Sequence, residues 1–148
     1  MKLLILGGCG FIGKSIANYF SNCGGFKTLL PSKAELDVLN LVECRRFLKD
    51  KRPDCVVHCV VNYNSMKETL IAYFNIVSCK PNYDKLVYFG SGAEYNPKRY
   101  KPLMAEDFSQ YSFPEENYPL GKWLIGKHIE NNKLDNILNL RLFGLYGK

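Results

Sequence analysis

Tyr118 and Lys122 stand four residues apart at the start of a helix-like segment, a spacing that puts both side chains on one face. A cation beside a phenol favours the phenolate and lowers a pKa that starts near ~10, which is what general acid–base catalysis near neutral pH needs. A second group is the run Gly7-Gly8-Cys9-Gly10-Phe11-Ile12-Gly13, between an apolar strand-like segment and a helix-like one. Glycines there permit positive φ and let the backbone approach a pyrophosphate, while the free N–H groups and dipole of the helix N-terminus hold its charge. The third is Ser91, at the C-terminal end of the strand-like LVYFG, where open parallel sheets bind ligands. Taken singly, YxxxK arises by chance, a glycine triplet can serve a tight turn and a serine can end a strand. Their order along one alternating chain gives them weight.

The elements that must position these residues follow from periodicity. Residues 2–6 read as a buried strand and 11–22 as a helix; a second strand spans about 26–30 and is closed by Pro31. Asn40 with Glu43 forms a capping-box-like start to a helix that ends before Pro53. CVVHCVV at 55–61 reads as a strand, 65–79 as a helix, 86–90 as a strand, about 118–131 as a helix and 136–143 as a last strand. The strands are continuously apolar and alternate with helices, the pattern of a doubly wound parallel sheet with helices on both faces.

Composition narrows the partners. The 148 residues carry a net charge of +6, 47% hydrophobic residues and 23% charged ones, which fits one domain and excludes a disordered tail. No apolar run reaches the roughly 18–20 residues of a membrane span. The stretch after Lys2 has the length of a signal-peptide core, but its glycines and the lack of a small-residue cleavage site before Lys14 argue for a fold element. The basic clusters at 49–52 and 98–101 sit in expected loops and read as solvated surface rather than a nucleic-acid patch. Cys9, Cys23, Cys44, Cys55, Cys59 and Cys79 form no CxxC pair, so neither a disulfide scaffold nor a zinc site is indicated, and free thiols in a reducing cytoplasm are expected.

These motifs together resemble the extended branch of the short-chain dehydrogenase/reductase superfamily, which holds the nucleotide-sugar epimerases, dehydratases and reductases. GGCGFIG is similar to its GxxGxxG fingerprint, ELDVLN to the segment with an Asp near the adenine, here Asp37, and PDCVVHCVVN to its fourth strand. YFGSGAEY resembles the serine segment, YPLGK the catalytic YxxxK, and NLRLFGLYGK the strand that leads into a substrate lobe. The resemblance runs over residues 1–148.

It implies a Rossmann-type NAD(P)-binding domain and hydride transfer at a sugar carbon. Ser91 would hydrogen-bond the sugar oxygen, Tyr118 would exchange its proton, and Lys122 would hold the nicotinamide ribose and lower the tyrosine pKa. Gly7, Gly10, Phe11, Ile12 and Gly13 would lie against the pyrophosphate, with Ser32, Lys33 and Asp37 on the adenosine side. The cofactor is NADP or NAD. Pro31-Ser32-Lys33 offers a cation and no early carboxylate after the second strand, which tilts the expectation toward NADP. The substrate implied is a nucleotide sugar, and a homodimer through helices is possible in this branch.

Gly92 and Ala93 stand where dehydratases carry acids, so an epimerase or reductase is expected over a dehydratase; Glu94 lies one place further and is expected to face away. Neither Thr69 nor Asn75 could be assigned as the helix Asn of the catalytic set. Members of the branch continue into a second lobe after the last motif. The 148 residues are therefore expected to be the cofactor domain without that substrate lobe, and the alternative reading is a dinucleotide-binding module without independent activity.

Overall fold

In a computed structural model that describes residues 1–110 and 113–146, the chain alternates strand and helix throughout. The elements are β1 (Lys2–Leu6), α1 (Phe11–Asn22), β2 (Lys27–Leu29), α2 (Leu41–Lys51), β3 (Cys55–His58), α3 (Met66–Val77), β4 (Lys85–Ser91), α4 (Asn117–Asn131) and β5 (Ile137–Leu142). All strand pairs are parallel, in the order β2-β1-β3-β4-β5. Connections from β1 and β3 leave in opposite directions, so the strand order reverses between them. That reversal opens a crevice at the C-terminal ends of the two strands, the usual ligand site of an open α/β sheet.

Both faces of β1 are covered, which is why it is apolar without alternation. Leu4 and Leu6 join the larger core with Leu48 of α2, Ile76 of α3 and Ile125 of α4, while Leu3 and Ile5 pack with Ala17 of α1. Three helices thus cover one face of the sheet and α1 the other.

Local signals set the helix ends. The Asn40 side chain accepts from the Val42 and Glu43 amides, and Glu43 reaches back to the Asp37 amide at 3.0 Å. Arg52 then closes α2 in the left-handed region at φ 43°, just before Pro53.

The expected strand at 55–61 is shorter: β3 stops at His58. Its last ladder bond toward β1 runs from the Cys59 amide to Leu6 O. Beyond it Gly7 turns away at φ 77°, so Val60 and Val61 have no continuing neighbour on that side and instead line the crevice. All six cysteines are free, and among the described residues no cluster of His, Cys, Asp or Glu could hold a metal ion. No helix among them is long and apolar enough to cross a membrane.

Candidate active site

The glycine turn is closed by a hydrogen bond from the Gly10 amide to Gly7 O at 3.0 Å, and the first bond of α1 runs from Lys14 to Gly10. The Phe11, Ile12 and Gly13 amides therefore precede any intrahelical bond, and no side chain caps them. The turn is so tight that a Cβ on Gly13 would lie 2.2 Å from Gly7 O. Amides at the start of a helix, with no side-chain cap bonded to them, make a cradle that fits a dinucleotide pyrophosphate.

A cavity lies on each side of this turn. One, of about 570 Å³, is walled by Gly7, Gly8, Ser32, Lys33 and Asp37. The other, of about 530 Å³, is walled by Gly10, Phe11, Ile12, Gly13, Ser91, Tyr118 and Lys122. Every candidate residue named from the sequence borders one of the two. Tyr63 lines both cavities and packs its ring on Tyr118 at 4.7 Å, a contact with no motif to announce it. Two cavities with the glycine turn between them would suit a dinucleotide with adenosine on the Lys33 side and nicotinamide on the Tyr118 side.

Ser91 ends β4, where its Oγ accepts from the Ala93 amide at 3.2 Å, and it borders the same cavity as Tyr118. Tyr118 is the second residue of α4, and Pro119 falls in the first turn, where its missing N–H would have had no helical partner. Lys122, one turn on, donates to Phe89 O at 2.6 Å and sits 4.5 Å over the Tyr88 ring.

The electrostatics depart from expectation at the phenol. Burial raises the Tyr118 pKa; the Ser91 hydrogen bond opposes this, and Tyr63 and Glu94 add to the rise. In the cofactor-free chain the phenol therefore keeps its proton at neutral pH, because the cost of burying a phenolate outweighs the pull of its neighbours. Burial also lowers Lys122 to about 8, against partial support from Glu94 and Cys59. His58, buried beside it, is held neutral by burial and by the Lys122 charge, with a pKa of about 4.

The lysine shift has a measurable consequence. At pH 7 Lys122 is protonated both folded and unfolded, and the cost of burying its charge is fully present. Between about 8 and 10.5 only the unfolded chain keeps the proton, so this residue's contribution to stability rises through that window. Relative to Lys122→Met, the wild-type chain is expected to gain on the order of 3 kcal/mol between those pH values in urea denaturation. Parallel pH profiles for the two proteins would show that the lysine is not depressed. The comparison is differential because buried thiols and phenols titrate in the opposite sense.

Glu94 is absent from the wall of the Tyr118 cavity and is turned into the protein interior behind it. It is 1% exposed, and its carboxylate accepts from the Ser91 amide at 2.8 Å and from Arg141 Nε at 2.9 Å. Burial pushes its carboxyl up, while Ser91 and Arg141 pull it down. Thr69 lies in the wall of the first cavity and bonds to Asn62, whereas Asn75 is turned away onto Val38 O. On the adenosine side Glu35 accepts from the Ser32 amide and hydroxyl, both at 2.8 Å, and is absent from the cavity wall.

A family model described as the NAD dependent epimerase/dehydratase family matches residues 3–148. No curated protein matches the sequence. Among solved structures, a GDP-D-glycero-L-gluco-heptose synthase from Campylobacter jejuni, determined in the presence of NADPH, superposes with a TM-score of 0.84 at 25% identity, covering 99% of this chain and 48% of that one. A GDP-mannoheptose C4 reductase from Campylobacter jejuni with NADP bound gives 0.82 at 24% identity over 99% of this chain and 52% of that one. A GDP-L-fucose synthetase from Naegleria fowleri gives 0.82 at 18% identity over 99% and 55%. The chain spans about half the length of these structures.

Proposed function

The chain belongs to the NAD dependent epimerase/dehydratase family, and from that premise we propose that it is the cofactor-binding part of an NADP(H)-dependent reductase or epimerase acting on a nucleotide sugar. The observation that carries this reading is the single cavity on which the glycine turn, Ser91, Tyr118 and Lys122 converge. Lys33 in the wall of the other cavity, with Glu35 tied to Ser32, supports NADP over NAD. NADPH and NADP are named with two of the similar structures.

When bound, the nicotinamide supplies or accepts the hydride. The first-turn amides of α1 would hold the pyrophosphate, Lys122 would offer its remaining N–H donors to the ribose, and Ser91 would hydrogen-bond the reacting sugar oxygen. Tyr118 passes a proton to that oxygen. A phenol that stays protonated at neutral pH is the form that can neutralise an alkoxide as it develops, which favours the direction of carbonyl reduction. Dehydration is disfavoured because Gly92 and Ala93 carry no acid and both oxygens of Glu94 are engaged.

A second reading is a dinucleotide-binding module without turnover of its own. Fluorescence titration of the purified chain with NADPH and NADH tests the common part: NADPH is expected to bind more tightly, and binding of neither overturns both readings. Cofactor consumption with a panel of nucleotide-4-keto sugars then separates the two.

A further inference from the structure

We propose that Glu94 is the positioning residue of this site: one carboxylate oxygen fixes the Ser91 backbone, the other binds Arg141, and the anion is lodged against the helix that carries Tyr118 and Lys122. The proposal rests on the reading of those three residues as the proton-transfer set.

The slot that holds the carboxylate is made by two glycines. A Cβ on Gly90 of β4 would lie 2.5 Å from one oxygen, and a Cβ on Gly126 of α4 would lie 2.9 Å from the other. Gly126 is one turn beyond Lys122, on the same helical face. The same S-x-x-E pattern occurs at Ser32 and Glu35, where it is met by an exposed carboxylate with no such slot. Closing a turn therefore does not require burying the acid, and at Glu94 two elements have given up side chains to admit it. Both neighbours, the Ser91 N–H and Arg141 Nε–H, are donors. A glutamine would face one of them with its own NH2, so only a carboxylate satisfies both.

The charges around it come from every side. Arg141 of β5 lies on it and also pairs with Glu130 of α4 and Glu106. The Glu94 charge acts on Lys122 and Tyr118 of α4, on Tyr88 of β4 and on Tyr95 of its own segment. Lys122 in turn is faced by Cys59, His58 and the Tyr88 ring. Glu94 is thus the acidic group set opposite the lysine.

The test is the titration of Lys122 in the cofactor-free chain, followed by NMR of its side-chain ammonium group and assigned with Lys122→Arg. In Glu94→Gln the midpoint is expected to fall by about one pH unit, because a supporting charge is lost. Mere loosening of the packing would hydrate the lysine and move the midpoint the other way, toward 10.5. The double variant Glu94→Gln/Arg141→Met removes the donor–donor clash and carries the same test, read against the wild-type chain because Glu94 and not Arg141 acts on Lys122, should the single variant not fold. A midpoint that is unchanged or raised in a cooperatively folded variant overturns the proposal. The expected shift without any NADPH binding overturns the functional reading and leaves Glu94 its role; NADPH binding without the shift does the reverse.

Discussion

Gly13→Ala is expected to abolish useful NADPH binding. The new Cβ would lie 2.2 Å from Gly7 O, 2.8 Å from Gly7 C and 2.9 Å from Gly8 Cα, all backbone atoms with no rotamer to yield. Gly7 cannot retreat, because the Cys59 and Val60 backbone lies directly behind it and its φ of 77° already sits in the left-handed region. The turn must therefore open, and the amides of Phe11 and Ile12 lose their common aim. Two charge-assisted hydrogen bonds at about 1.5 kcal/mol or more each correspond to a loss of roughly 100-fold in affinity. A stability cost of about 1–3 kcal/mol is expected alongside it. Fluorescence titration with NADPH checks the first and urea denaturation the second; affinity within threefold of wild type would mean that the turn does not hold the pyrophosphate.

Tyr118→Phe separates chemistry from binding. The ring contact with Tyr63 survives, and Ser91 Oγ keeps its bond from the Ala93 amide, so the cavity retains its walls. What is lost is the phenolic hydroxyl, which shares a cavity with Ser91 and could carry a proton to the substrate oxygen. Turnover of a nucleotide-4-keto sugar is expected to fall about 10²–10⁴-fold, the usual worth of a positioned proton donor. NADPH affinity should change less than about twofold, since cofactor contacts are assigned to Lys122 and the glycine turn and not to the phenol oxygen. Retention of more than a tenth of the turnover would remove Tyr118 from the catalytic set.

The helices were readable in advance because their signals are local. Asn40 and Glu43 bracket the start of α2, and Pro53 marks its limit. Pro119 falls in the first turn of α4, one of the few helical places that tolerates it. The strand expected at 55–61 ends early for a different reason: Val60 and Val61 have strand character, but on one side their neighbour β1 has already ended at Leu6. Tyr63 escaped notice because an exposed aromatic after a strand carries no periodic signature, and its stacking on Tyr118 joins residues 55 positions apart.

Glu94 and the Tyr118 phenol show most clearly where reading along the chain stops. Spacing put Lys122 near the phenol and suggested a lowered pKa, yet burial dominates and the shift is upward. Counting positions after Ser91 sets Glu94 off the reacting site but does not show that Arg141 from β5 and the gaps at Gly90 and Gly126 draw it into the interior.

By itself, the order of residues determined the alternation of strands and helices and the glycine turn after β1, and singled out Ser91, Tyr118 and Lys122 as candidates, because each depends on neighbours within a few positions. The folded molecule alone decided which strand ends meet, what stacks on the phenol and which charges are taken from water. Those outcomes depend on desolvation and on contacts between segments far apart in the chain, and no spacing within one segment records them.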